Sequence, residues 1–131
     1  MCIFCQIIAG EIPSYKIYED ERVFVLLDIR PINSGDTLVI VKKHVANFEE
    51  AAAEDLQAAI LAIKKIGRLI KEKLGYAGYN VIENNDPVAG QEIPHLHFHI
   101  IPRLADDGIK FWPSHDYAPG EAEEILRQLK S

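Results

Sequence analysis

Three of the chain's five histidines fall in one octet, His95-Leu96-His97-Phe98-His99-Ile100-Ile101-Pro102, where they alternate with large apolar residues. In an extended strand successive side chains point to opposite faces. The alternation therefore sets His95, His97 and His99 on one face and packs Leu96, Phe98 and Ile100 on the other. Neighbouring imidazoles are spaced roughly 7 Å apart along such a strand, from the rise per residue. Thr, Lys or Glu would serve a solvent-facing strand equally well, so three histidines in register point to chemistry. Two chemistries suit them. The imidazoles bind a metal ion, or one is a nucleophile while its neighbours donate hydrogen bonds to an anion.

The remaining chain must position this row. Its 131 residues, 48% apolar and 26% charged, fit one globular α+β domain spanning 1–131. The formal net charge of −6 argues against nucleic acid as the main partner. No charged segment followed by a long apolar run opens the chain, and no apolar run reaches membrane-spanning length, so the expectation is a cytoplasmic protein without a membrane partner. In that compartment Cys2 and Cys5 are thiols or metal ligands before they are a disulfide.

Residues 7–13 read as a short helical turn and a turn. Lys16 to Glu19 and Val23 to Asp28 read as strands separated by a polar turn. The β-branched run Thr37 to Val41 reads as a buried strand. Leu56, Ile60, Ile63, Ile66 or Gly67, Ile70 and Leu74 recur at helical spacing, with Glu54 and Asp55 early, Lys71 and Lys73 late, and Gly75 as the stop. Tyr79 to Asn84 reads as a further strand before the histidine octet. Beyond Arg103 the chain turns irregular, then Pro119-Gly120 precedes a terminal amphipathic helix carrying Ile125, Leu126 and Leu129. Strands and helices in this order suggest an antiparallel sheet.

The octet resembles the signature of the histidine triad family, His-φ-His-φ-His-φ-φ with φ apolar. Further residues carry the resemblance: Gly90-Gln91 just upstream, Asn84 eleven residues before His95, Asp28-Ile29-Arg30-Pro31, Ile3-Phe4, and Glu11-Ile12-Pro13. It covers residues 2–103 and leaves 104–131 as an unmatched tail. The fold it implies is a five-stranded antiparallel sheet with one long helix and short flanking helices, continued into a ten-stranded sheet across a homodimer. The implied activity is that of a nucleotidyl hydrolase or transferase attacking the α-phosphorus of a purine nucleotide. Adenosine phosphoramidates, aminoacyl adenylates and dinucleoside polyphosphates all present that phosphorus.

The resemblance makes His97 the nucleophile, with a nearby backbone carbonyl on its other ring nitrogen to fix the tautomer, and His99 a donor to a phosphate oxygen. His95 completes the catalytic row. Asn84 and Gln91 contact phosphate or leaving group, and Gly90 gives backbone room. Asp28 accepts from a ribose diol, and Ile3, Phe4, Leu26 and Ile29, with Ile7 beside them, form an apolar slot for the base. Two positions depart from better-known eukaryotic relatives. Asp36 stands where those carry a further histidine, and an acid near a phosphate is unfavourable unless it points away. Glu92 stands where they carry Ser or Thr.

Cys2-Ile3-Phe4-Cys5 is by itself half a zinc site. Bacterial-type members with this pair complete a structural zinc with two histidines, which here are His44 and His95. The implied set is Cys2, Cys5, His44 and His95, with no metal required for the chemical step. His115, in Ser114-His115-Asp116, is simply exposed. Two rival functions stand beside the lead: a metallohydrolase using the three triad histidines as ligands, and a nucleotide-binding regulatory module with little turnover.

Overall fold

The computed structural model describes residues 2–131. Five antiparallel strands form one sheet in the order β1-β2-β3-β5-β4. They are β1 (Lys16–Glu19), β2 (Val23–Leu27), β3 (Thr37–Val41), β4 (Gly78–Glu83) and β5 (His97–Arg103). Three α-helices among the described residues accompany them: α1 (Ile3–Ile8), α2 (Ala53–Leu74) and α3 (Glu121–Lys130). The expected α+β class and five-stranded antiparallel sheet are both present. No helix among the described residues is long and apolar enough to cross a membrane.

The central strands read as continuous apolar runs because both faces of the sheet are covered. On one face Val23, Val25, Val39, Val41, Phe98 and Ile100 pack against Ala59, Ile63, Ile66 and Ile70 of α2. On the other, Phe24, Leu26, Leu38 and Ile40 form a smaller cluster under Phe4 of α1. The register sets Leu38 opposite His99 and Ile40 opposite His97, so this second face also carries the histidines.

α2 lies close to the sheet through its small residues. A Cβ on Gly67 would sit 2.3 Å from Tyr79 Cζ, so the helix backbone rests directly on that ring. The buried stripe includes Ala59 and Ala62, whereas Ile60 and Leu74, expected on it, are more than half exposed. The expected stop is present: Gly75 takes φ 75, a left-handed conformation that costs glycine little.

Downstream of β5, Arg103 bonds Asp107 through Nε at 2.7 Å, and Asn33 Nδ2 donates to the Pro102 carbonyl, pinning the start of the tail. The terminal helix forms as expected, but it buries none of its residues in this chain.

Candidate active site and metal centre

The site is built on the sheet face under α1. His97 and His99 are successive side chains on that face of β5, with ring centroids 5.1 Å apart. His97 is also held edge-on by Phe4, 4.9 Å away. Its Nδ1 lies 2.7 Å from the His95 carbonyl. A carbonyl only accepts, so Nδ1 carries the proton and Nε2 carries the lone pair. Burial pushes the His97 imidazole below the usual histidine range, against the pull of that carbonyl. The neutral, nucleophilic form is thereby favoured.

His95 departs from the expected row. It precedes β5, is fully buried, and turns both ring nitrogens away from its neighbours. Nε2 donates to the Val41 carbonyl at 2.6 Å, so Nδ1 bears the lone pair. That Nδ1 faces His44 Nδ1 at 3.1 Å, Cys2 Sγ at 3.4 Å and Cys5 Sγ at 3.6 Å. Cys5 Sγ also lies 3.3 Å from His44 Nδ1. The ligand atoms of Cys2, Cys5, His44 and His95 all fall within 4.8 Å of one another. The four donor atoms surround one point, and a two-sulfur, two-nitrogen donor set suits zinc. The residues therefore fit the ion, and burial with the neighbouring Cys2 pushes the Cys5 thiol up until one binds. The three triad imidazoles do not converge on a single point. Among the described residues the only other convergent group is Asp28, Asp36 and His99.

Asp28 directly follows β2 and Asp36 precedes β3, and the Asp28 N–H donates to the Asp36 carbonyl at 2.9 Å. This closes the hairpin with both carboxylates on the histidine face. Asp28 Oδ2 is 4.0 Å from His99 Nδ1, and its Oδ1 accepts from the Arg30 N–H. Asp36 is buried, and burial pushes its carboxyl above the usual carboxylate range, against the Ile32 N–H that donates to Oδ2. It does not point away from the site as the sequence argument required; it belongs to the His99 cluster. The alternation Leu26-Leu27-Asp28 and Asp36-Thr37-Leu38 was the available signal, legible once β2 and β3 are paired in register.

Asn84 follows β4 and is half-buried, with only a 3.5 Å contact to the Gly90 carbonyl, which leaves its amide free for a ligand. Gln91 differs from expectation. Its Nε2 donates to the Ala46 and Ile93 carbonyls at 2.7 and 3.2 Å, and its Oε1 accepts from the Asp86 N–H at 2.8 Å. Both amide protons are committed, so here Gln91 braces the loop and has none to offer a phosphate. Gly90 takes φ 97, which only glycine adopts readily. Of the expected base slot, Phe4 and Leu26 are brought together in the apolar cluster, with Ile7 against it. Ile3 is half exposed at α1, and Ile29 stands 78% exposed beyond β2. Glu92 lines an open depression of about 450 Å³ with Cys2, Ile3, His44, Ile93 and Pro94, beside the cysteine–histidine cluster. A larger depression of about 820 Å³ runs along α2 near Lys64, Arg68 and Tyr79 and holds none of the expected site residues. His115 is exposed, with its Nδ1 3.0 Å from the Asp116 carbonyl.

The HIT domain family matches residues 9–106, well over half of the chain, and the chain belongs to this histidine triad family. It is 48% identical over 132 residues to an uncharacterised HIT-like protein of Methanocaldococcus jannaschii, covering 99% of each. It is 36% identical to an adenosine 5′-monophosphoramidase of Schizosaccharomyces pombe, covering 99% of this chain and 96% of the relative. Among solved structures, a HIT family protein from Bacillus subtilis superposes with TM-score 0.89 at 43% identity, over 98% of this chain and 94% of that one. A zinc-bound histidine triad protein from Mycobacterium smegmatis gives TM-score 0.80 at 33% identity, over 98% and 95%. Membership at this level makes the chain a nucleotide-binding protein of hydrolase type.

Proposed function

We propose that this chain is a purine nucleotide hydrolase or transferase acting at the α-phosphorus through a covalent intermediate on His97. The observation that carries the reading is the 2.7 Å bond from His97 Nδ1 to the His95 carbonyl, which leaves a neutral Nε2 lone pair to attack. In the first step Nε2 forms an N–P bond while the bond from phosphorus to the leaving group breaks. The electron pair departs with the leaving group, which takes up a proton. In the second step water or another hydroxyl acceptor forms an O–P bond and releases its proton to solvent, the N–P bond breaks with its electron pair returning to Nε2, and His97 is restored. His99 and Asn84 stabilise the negative charge on the phosphate oxygens. Asp28 accepts from the ribose diol, and Ile3, Phe4, Leu26 and Ile29 border the base. Gln91 acts by holding the loop that carries Gly90.

An adenosine phosphoramidate is the favoured substrate class, supported by the S. pombe relative's activity. A structural zinc on Cys2, Cys5, His44 and His95 would tie α1 to the segment before β5; held there, α1 keeps Phe4 against His97. The zinc-bound relative supports that ion. The same reading includes a cytoplasmic homodimer; β4 offers a sheet edge with Val81 exposed. Steady-state hydrolysis of an adenosine phosphoramidate tests the activity. His97→Ala should abolish turnover while retaining adenosine monophosphate binding. Equal turnover in the variant would refute the assignment. Equal affinity with no product from either protein would favour the regulatory module.

A further inference from the structure

The Asp28–Asp36–His99 cluster lies at the edge of the site and holds a buried carboxylate only half of which has a structural task, Oδ2 accepting from the Ile32 N–H. Asp36 is 1% exposed, and its Oδ1 accepts no hydrogen bond from any described residue. Leaving a buried carboxylate oxygen unpartnered is costly, so the fold must supply it with a counter-charge or a proton. The groups facing it are Asp28 from the end of β2 and His99 from β5, with His97 beside His99. Each of Asp28, Asp36 and His99 brings an atom within 4.8 Å of the other two. Asp28 approaches His99 through Nδ1, at 4.0 Å, which is too long for a hydrogen bond. The backbone bond between Asp28 and Asp36 fixes the two carboxylates as a unit behind the ring.

We propose that Asp36 is a positioning residue: with Asp28 it holds the Nδ1–H of His99, so that Nε2 of that ring is presented to the phosphate. The proposal deepens the nucleotide reading and rests on it. With the carboxylates behind Nδ1 and a bound phosphate at Nε2, each ring nitrogen faces an acceptor. The acid at position 36 then works through His99 and touches no substrate, which reconciles a carboxylate with an anion-binding site. While Asp28 turns to a ribose, Asp36 is the group that stays on the ring.

The test uses the full chain with its zinc, labelled with ¹⁵N-histidine, and the isosteric variant Asp36→Asn. In the wild type the two-bond ¹H–¹⁵N pattern should show a proton on Nδ1 of His99, with and without adenosine monophosphate. In Asp36→Asn that proton should be lost or exchange at least about tenfold faster. Adenosine monophosphate affinity should fall about tenfold, the scale of one charge-assisted hydrogen bond, while adenosine affinity stays within about twofold. A bare Nδ1 in the wild type overturns the proposal without recourse to the variant. So does an unchanged pattern in folded Asp36→Asn, an equal loss of both ligands, or saturable Mn²⁺ binding that Asp36→Asn abolishes. If His99 responds as expected but the wild type binds no mononucleotide, the positioning stands and the nucleotide reading falls.

Discussion

Replacing Gln91 with alanine separates two roles that one side chain cannot hold at once. The amide makes three hydrogen bonds, at 2.7, 3.2 and 2.8 Å, joining the Ala46 carbonyl, the Ile93 carbonyl and the Asp86 N–H. Asp86 is the only non-glycine described residue with positive φ, at 76, so the brace also holds a strained turn in place. Each such bond contributes about 0.5–1.5 kcal/mol net. Ala46, Ile93 and Asp86 retain some access to water, so the lower part of that range applies, and the three together come to roughly 2 kcal/mol. With an unfolding entropy of about 2.1 cal/mol/K per residue, a chain of 131 residues converts this to a fall in Tm of about 7 °C. Calorimetry at fixed zinc and protein concentration measures it, and isothermal titration with adenosine monophosphate measures binding. The geometry predicts a fall in Tm with affinity reduced only modestly. A Tm within about 2 °C of wild type, together with a tenfold or greater loss of affinity, would refute the reasoning and return Gln91 to the phosphate.

Three other outcomes follow from the structure. Gly67→Ala drives a Cβ into the Tyr79 ring at 2.3 Å; overpacking of about 1–3 kcal/mol outweighs the gain of about 1 kcal/mol in helix propensity. Urea unfolding should show a net loss, strongly reduced when Tyr79→Ala is already present. Cys5→Ser should reduce zinc content by metal analysis from one ion per chain and lower Tm. Chelation should do the same to the wild type but leave Cys5→Ser unmoved. Arg103, with the Ile109 and Leu104 N–H groups, holds the Asp107 carboxyl well below the usual carboxylate range. A carboxyl depressed in the folded state stabilises fully above its unfolded pKa and loses that contribution as pH falls through its folded value. The Tm difference between wild type and Asp107→Asn should therefore be full at neutral pH and shrink in strong acid.

The parts of the site governed by local pattern were legible in the sequence. Period-two alternation placed His97 and His99 on one face and Phe98 and Ile100 on the other, and the apolar run Thr37–Val41 gave β3 as observed. The helix stop at Gly75 followed from chain chemistry alone. The failures share a cause, which is that a side chain's partners come from distant segments. His95 was placed both on the catalytic row, by its alternation with His97, and among the metal ligands; Val41, His44 and α1 take its ring to the second place. Gln91 was assigned by its offset from the triad, yet Ala46, 45 residues away, decides where its amide points. Asp36 looked misplaced beside a phosphate until the β2–β3 register paired it with Asp28. Ile60 has the spacing of a core residue, but the buried stripe of α2 runs through Ala59, Ala62, Ile63, Ile66 and Ile70, which leaves position 60 on its flank.

The most direct measurement is mass spectrometry of a rapidly quenched reaction with an adenosine phosphoramidate, followed by peptide mapping. The account predicts an acid-labile adenylyl group on the peptide containing His97, formed before product and absent from His97→Ala. Product release at the wild-type rate with no adduct at any quench time, or an adduct on a different residue, would contradict it.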